Sequence, residues 1–380
     1  MIRIKKKCVW LFVIYTFPIW NLVSECFFGD SITFYLWRLF TVLFIFFVNF
    51  DGRYKKRKEI VLLDLLILAN AVYLLVNGRS FSYFFNNDVY LFWLLLANIF
   101  FWNKENIEIF RKYITTKKQI AVVNAYLTII MCVVSIFLGV GFVHAQGTIV
   151  FTGFFSLEHL LAYHILVSYM LLLIVDKKNY YIILKLLLSC FLVLTAVRSA
   201  VIVLALLFIY DYFTMKRKQR LIILFILFIF ACVLYVTGIL EEIPLFTKTQ
   251  VAMLNGDATN GRGVLTMIGF EYFLKHTSSI QKVMGIGIDN IRQNVYWNNL
   301  HAHNDVVNIL LGYGGLYLGI VVGKIVQFCR GKNSVIIFLV IGALAYFNGF
   351  YMYTEAVVAL PIIKMALSSI KINRLKIKCK

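Results

Sequence analysis

Four short stretches carry residue types suited to acid–base or anion chemistry, and all lie between positions 195 and 305. The last is His301-Ala302-His303-Asn304-Asp305. Imidazole is the natural general base near neutral pH, so either histidine could take a proton from an attacking hydroxyl. Asn304, Asp305 and the histidine that is not the base are candidate substrate contacts. A metal is not expected here: residues two apart do not share a helix face, and no carboxylate-rich partner motif accompanies them. In Thr259-Asn260-Gly261-Arg262-Gly263, Thr259 or Asn260 can cap a helix running on through Val264 to Leu274. Arg262 then stands at the helix start, where free N–H groups, the dipole and a planar guanidinium suit a phosphate. The competing reading is an interfacial helix whose arginine touches lipid headgroups. Gly285-Ile286-Gly287-Ile288-Asp289 permits a tight turn against a ligand or another backbone. It follows no strand and is no nucleotide fingerprint; the two glycines are substrate contacts or form a plain surface turn. Finally, Thr195-Ala196-Val197-Arg198-Ser199-Ala200 places an arginine between two apolar runs, where it either snorkels to the interface or acts on a ligand.

The elements that hold these residues must be apolar. Of 380 residues, 61% are hydrophobic and 15% charged, against about 45–50% and 25% in soluble domains. That composition excludes a disordered chain, a secreted disulfide scaffold and a coiled coil. It predicts an all-α polytopic transmembrane bundle, one integral-membrane domain over 1–380. Apolar runs at 8–28, 31–50, 60–77, 85–103, 119–143, 156–175, 180–196, 199–214, 221–240, 303–328, 334–352 and 354–370 make about twelve spans. Strands of a membrane barrel would be shorter and alternating. The runs 180–196 and 199–214 read as a tight hairpin with Arg198 at its apex. One connection is long, the extracytoplasmic loop 241–302 with short helices of its own; loops of that size are usually functional. Gly312, Gly314, Gly315 and Gly319, after the histidines, are expected to let their span pack closely on a neighbour.

The net charge of +20 sorts with this topology. Basic residues crowd the N-terminus, 53–58, 104–118, 177–178, 216–220, 324–332 and 371–380. The opposite side holds Arg79, Arg198, Lys248, Arg262, Lys275, Lys282 and Arg292. By the positive-inside rule the crowded side is cytoplasmic, with both termini there. The charge is an address and an anionic-lipid signal, and nucleic acid is not an expected partner. The N-terminal run lacks a small-x-small cleavage site and reads as an uncleaved first span. Seven cysteines are scattered singly, giving neither a metal site nor a disulfide framework. Arg38, Lys185 and Lys364 within spans are expected to snorkel or pair. Asp64 lies near a cytoplasmic end. Glu158, His159 and His164 fall in the outer half of the sixth span, where Glu158 and His159 line a cavity or form a structural pair.

Taken in order, these motifs resemble a known family. An R-S-A turn between two spans precedes a large external loop with G-R-G and a helix. Then come G-I-G and H-A-H-N-D-V-V-N-I-L-L-G-Y-G-G-L-Y-L-G. Over roughly 195–320 the chain resembles the superfamily of O-antigen polymerases and O-antigen ligases, membrane glycosyltransferases. The resemblance implies a metal-independent enzyme with no cofactor, acting on polyprenyl-diphosphate-linked (undecaprenyl-type) oligosaccharide at the outer face of the cytoplasmic membrane. It implies that Arg198 and Arg262 hold the diphosphate and that His303 acts on the acceptor, with the choice between His301 and His303 left open. It implies polysaccharide biosynthesis, of capsule or lipopolysaccharide. Repeat-unit polymerase is the leading expectation and transfer to a lipid core, the ligase reaction, the alternative. A transporter of the same glycolipid is the reading from another class; it predicts internal repeats, which the sequence lacks. Expected partners are membrane lipids, a flippase and a chain-length regulator.

Overall fold

The computed structural model describes residues 104–145, 148–155, 157–176, 180–215, 243–254, 261–287, 290–296, 303–331, 333–348 and 354–369, with scattered single positions elsewhere. The expected spans at 8–28, 31–50, 60–77, 85–103 and 221–240, with Arg38, Asp64, Arg79 and His301, lie outside these residues. In chain order the elements are α1 Lys104–Thr116, α2 Gln119–Phe137, β1 Phe142–Ala145, β2 Thr148–Phe151, α3 Glu158–Val175, α4 Ile182–Leu194, α5 Arg198–Thr214 and α6 Pro244–Leu254. They continue with α7 Arg262–Lys275, α8 Ser279–Met284, a π-helical turn Ile291–Val295, α9 Asp305–Cys329, α10 Ser334–Asn348 and α11 Thr354–Ser369. The protein is a mostly helical membrane protein. Among the described residues α2, α3 and α9 are long and apolar enough to cross a bilayer, with mean hydropathy 2.4, 1.7 and 1.8.

Two elements depart from the sequence expectation. The run read as a span over 119–143 ends as a helix at Phe137. Gly139 and Gly141, at φ 67° and 86°, stop it, since only glycine enters the left-handed region without strain. A β-hairpin follows, pairing Phe142 with Phe151 and Ala145 with Thr148. A Cβ on Gly141 would run into the carbonyl of Gly153, so the close approach at the hairpin's base requires a glycine. The hairpin's Phe, Val, Ile and Thr residues suit strands as well as spans, which is why it reads as membrane helix from hydropathy. The basic stretch 104–118, expected as loop, carries α1.

The chain divides into two compact units, and each is described by itself. One contains residues 111–258 and hence α2 to α6 with the hairpin; the other contains 259–361 and hence α7 to α10.

In the first unit, α2 exposes Val123, Tyr126, Leu127, Ile130, Val134 and Phe137, a stripe at helical spacing turned to lipid. Its opposite face buries Asn124, Thr128 and Ser135. This inverts the pattern of a soluble helix, because here the outer solvent is hydrocarbon and polar side chains must find partners within the protein. Asn124 Nδ2 donates to Ser168 Oγ at 2.9 Å, and Thr128 Oγ1 bonds His164 Nε2 at 3.0 Å and Ser168 at 2.9 Å. These bonds join α2 to α3, which is buried on all sides from Leu160 to Val175. Lys185, expected to snorkel or pair, does the latter: its Nζ lies 2.8 Å from Asp211 Oδ2 and 3.2 Å from Asp176 Oδ2. Asp176 also accepts from the amides of Tyr180 and Tyr181, at 2.8 and 3.2 Å. The triad ties α3, α4 and α5 together at one end of the hairpin whose other end carries Arg198.

In the second unit, α9 is broken. Gly314 has φ 90° and ψ 168° inside an otherwise helical run. The break takes the carbonyls of Leu311 and Gly312 out of the helical ladder, and they accept instead from the amides of Ile286 and Gly287, at 2.7 and 3.0 Å. The G-I-G segment of the long loop thus completes the hydrogen bonding of a discontinuous helix, as buried backbone requires. The fit is reciprocal: a Cβ on Gly285 would strike the backbone of Gly312, and one on Gly314 the backbone of Val283. The expected close packing of the α9 glycines therefore holds at 312 and 314, with the loop as partner. Gly319 has open space around it.

Candidate functional site

Arg198 is the first residue of α5, as the hairpin reading expected. The turn before it is tight: Thr195 Oγ1 donates to the carbonyl of Leu192 at 2.7 Å, and Ala196 sits at φ 54°. A non-glycine residue there is strained by about 1 kcal/mol, held by complete burial of the turn. The N-cap, Val197, has no side chain able to cap, and its own amide donates to Thr195 Oγ1 at 3.4 Å. Arg198 Nη2 donates to the carbonyl of Lys248 on α6, at 3.4 Å.

Arg262 repeats this arrangement. It is the first residue of α7, again with no side-chain cap. The N-cap is Gly261 at φ 82°, where the sequence suggested Thr259 or Asn260 as the capping residue. Both arginines thus open helices of more than three turns whose N-cap residues supply no side-chain acceptor. The dipole and the guanidinium at each point favour an anion.

The second unit holds Arg262, the paired glycines and His303 on elements packed on one another. α7 lies against α9 through Gly269, where a Cβ would meet the Tyr296 hydroxyl and Val307. Tyr296 Oη, following the π-helical turn, donates to the carbonyl of Leu265 at 2.9 Å. Burial raises the Tyr296 phenol above its ordinary range, so it stays a neutral donor. α8 starts with a capping box, in which Ser278 and Gln281 bond each other's backbone, and packs on the break in α9. Gly285 and Gly287, at φ 87° each, are buried there.

His303 is half-buried and immediately precedes the N-cap of α9. That cap is Asn304, whose Oδ1 accepts from the amides of Val306 and Val307, at 2.9 and 3.4 Å. Asn304 therefore fixes where the helix starts and with it the position of His303. Asp305, in the first turn, suits the positive end of the dipole and is 1% exposed. Burial of Asn304 and Asp305 turns both toward the protein.

Sequence reasoning passed over Lys248. It belongs to no motif, and only the fold brings it to the arginine: it lies on α6, its carbonyl accepts from Arg198 and its Nζ is 3.6 Å from Glu158 Oε1. Glu158, the first residue of α3, also lies 3.8 Å from His159 Nε2, the pair that the sequence suggested.

Searches for similar proteins return neither a curated protein nor a solved structure that matches the chain. A family model does match. Residues 183–322 fit the family described as O-antigen ligase, a segment that contains Arg198, Lys248, Arg262, Gly285, Gly287, His303, Asn304 and Asp305. These motifs all lie inside the one segment, 183–322, that is similar to the O-antigen ligase family.

Proposed function

We propose that the protein is a polysaccharide polymerase. It joins polyprenyl-diphosphate-linked oligosaccharide repeat units into capsular polysaccharide or O-antigen, on the outer face of the cytoplasmic membrane, with both termini inside. The observation that carries this reading is the recurrence of one device: Arg198 and Arg262 each open an uncapped helix within the family segment. Cleaving a glycosyl–diphosphate bond builds negative charge on the leaving group. Arginines and helix amides fixed where that charge develops lower the barrier, because they need no reorganisation. In this reading they suffice without a metal or other cofactor. His303 takes the proton of the acceptor hydroxyl as it attacks the anomeric carbon. A single direct displacement inverts the configuration there. Asn304 and Asp305 position the base, and His301, Gly285 and Gly287 are the remaining candidates for substrate contact. Lipids, a flippase and a chain-length regulator are the partners this reaction calls for.

The test is to substitute Arg198, Arg262 and His303 with Ala, one at a time. Cells should accumulate single lipid-linked repeats at normal protein level; full-length polymer from all three variants refutes the enzyme. The ligase is the second reading, favoured by the matched family's description. Purified protein given lipid-linked donor and a lipid core separates the two. Transfer to the core without chain growth on lipid would sink the polymerase.

A further inference from the structure

In the second unit, α7 begins with Arg262, and His303 stands just ahead of α9. The two helices run the same way. A Cβ on Gly269 of α7 would meet Val307 of α9 and lie 3.3 Å from Leu311. Further along α7, the carbonyl of Leu274 accepts from Lys282, whose own carbonyl lies 3.3 Å from a Cβ placed on Gly315. Advancing from 269 to 274 on α7 therefore matches advancing from 307 to 315 on α9. Arg262 lies toward the end of the pair where His303 stands. It precedes Gly269 by seven residues, two turns along one face, so the face that packs on α9 also bears the arginine. α7 is shallowly packed: Gly269 is its one buried residue, and Val264, Met267, Phe270 and Leu274 are exposed. A relay of hydrogen bonds reaches it from the break in α9. The carbonyl of Gly312 accepts from Gly287 at 3.0 Å and that of Gly287 from Ile291 at 3.2 Å. The carbonyl of Ile291 accepts from the Tyr296 amide at 3.2 Å across the π-helical turn, a kind of turn often found at functional sites. Tyr296 is 2% exposed, and its hydroxyl closes the relay on Leu265 of α7 at 2.9 Å.

We propose that Tyr296 is a positioning residue for glycosyl transfer: by holding α7 on α9 through the Leu265 carbonyl, it sets the separation of Arg262 from His303. The proposal rests on the reading that Arg262 holds the diphosphate and His303 takes the acceptor's proton. Those two groups act on opposite ends of one displacement, the leaving group and the nucleophile. Their separation must therefore match a donor and an acceptor held in line. Each keeps its own local contacts when the separation changes, so loss of the tyrosine hydroxyl spares donor binding and slows the chemistry. A misplacement of about 1 Å can cost about a hundredfold in rate.

The experiment compares wild type, Tyr296→Phe, Gly269→Ala and the double variant as purified full-length protein in detergent. Three quantities are measured: affinity for farnesyl diphosphate, single-turnover rate and melting temperature. The turnover assay uses lipid-linked repeat units from cells that lack the protein, with a lipid core also present as acceptor. Tyr296→Phe should slow the single turnover at least about tenfold while farnesyl diphosphate affinity stays within about twofold. Gly269→Ala places a methyl against the Tyr296 hydroxyl and Val307, disturbs the same separation from the other side, and should do likewise. In the double variant the methyl no longer meets the hydroxyl, so the losses should not multiply; its rate should fall within about threefold of the slower single variant. A tyrosine that only stabilises the fold lowers the melting temperature and leaves the rate per folded molecule unchanged. That result overturns the proposal, as do multiplying losses or an equal drop in affinity and rate in Tyr296→Phe. If Gly269→Ala does not fold, Tyr296→Phe decides alone. Wild type that transfers to neither acceptor refutes the glycosyl-transfer reading and this proposal with it. Wild type that transfers, with Tyr296→Phe as fast, overturns only the role of Tyr296.

Discussion

Replacing Gly314 by alanine tests the joint between the long loop and α9. Three costs add. The conformation at φ 90°, ψ 168° is one that essentially only glycine adopts, and holding another residue there costs about 1–3 kcal/mol. A Cβ would also lie 2.6 Å from Met284 N and closer still to the carbonyl of Val283. Those are backbone atoms, so α8 must move. Moving it breaks the bonds from Ile286 and Gly287 to Leu311 and Gly312, each worth about 1 kcal/mol net. A gain opposes these costs: with alanine at 314 the helix can straighten, and the two carbonyls recover partners from their own ladder, with about 1 kcal/mol from helix propensity. The balance is a loss of about 3 kcal/mol, or roughly 4 °C in melting temperature for a chain of this size.

Straightening also releases the loop, so function should suffer more than stability. The segment 279–287 would no longer be held on the helix that presents His303, and trypsin should cut at Lys282, which the folded loop ties to the carbonyl of Leu274 at 3.0 Å. Gly319→Ala is the internal control, since it has open space and a helical backbone; it should melt within about 1 °C of wild type. The assays are thermal unfolding in detergent, limited proteolysis and polymer formation in cells. A Gly314→Ala protein that melts, resists trypsin and polymerises like wild type would refute the account of the broken helix.

Further outcomes follow from the same contacts. Lys185→Met leaves Asp176 and Asp211 facing each other in a dry interior and should destabilise by about 3–5 kcal/mol; adding Asp211→Leu should recover much of that on thermal unfolding. Ala196→Gly removes the left-handed strain before Arg198 and should raise stability by about 0.5–1 kcal/mol, while a looser turn lowers the rate of polymer formation. Asn304→Ala removes the α9 cap at a cost of about 1 kcal/mol and should cut turnover far more than donor binding, which single-turnover and equilibrium measurements separate.

What was legible in the sequence depended on whether the signal was local. The hairpin presenting Arg198 follows from two apolar runs and the short polar gap between them, and α4 and α5 fall where those runs do. The start of α7 at Arg262 follows from turn residues before an apolar stretch, although the capping residue does not, because Gly261 substitutes backbone freedom for a side-chain bond. The β-hairpin was hidden, since hydropathy does not distinguish a strand from the end of a span. The roles of Gly285 and Gly287 were hidden for a different reason. A glycine pair signals close approach without saying to what, and its partner is a helix break at Gly314, about thirty residues further on. Lys248 carried no signal at all, because a basic residue in an external loop is ordinary until the fold sets it beside Arg198 and Glu158.

Charge in this protein is informative through its balance rather than its burial. Lys185 and Lys248 are equally inaccessible by ordinary standards, at 1% and 6% exposure, so burial alone would assign them the same role. Their counter-ions assign different ones. Two carboxylates around Lys185 leave it nothing further to bind, and its contacts are short. Lys248 lies 3.6 Å from Glu158, and its carbonyl accepts from Arg198 at the start of α5, at 3.4 Å. An anion at the start of α5 would meet the Arg198 guanidinium and the positive end of the helix dipole together. Arg262 likewise stands at the head of α7, whose N-cap is a glycine. Donor binding should accordingly be strongest for the most highly charged leaving group. A polyprenyl monophosphate, with fewer oxygens to share among these donors, should bind at least tenfold more weakly than the diphosphate, and equal affinity for the two would refute the diphosphate role of the two arginines.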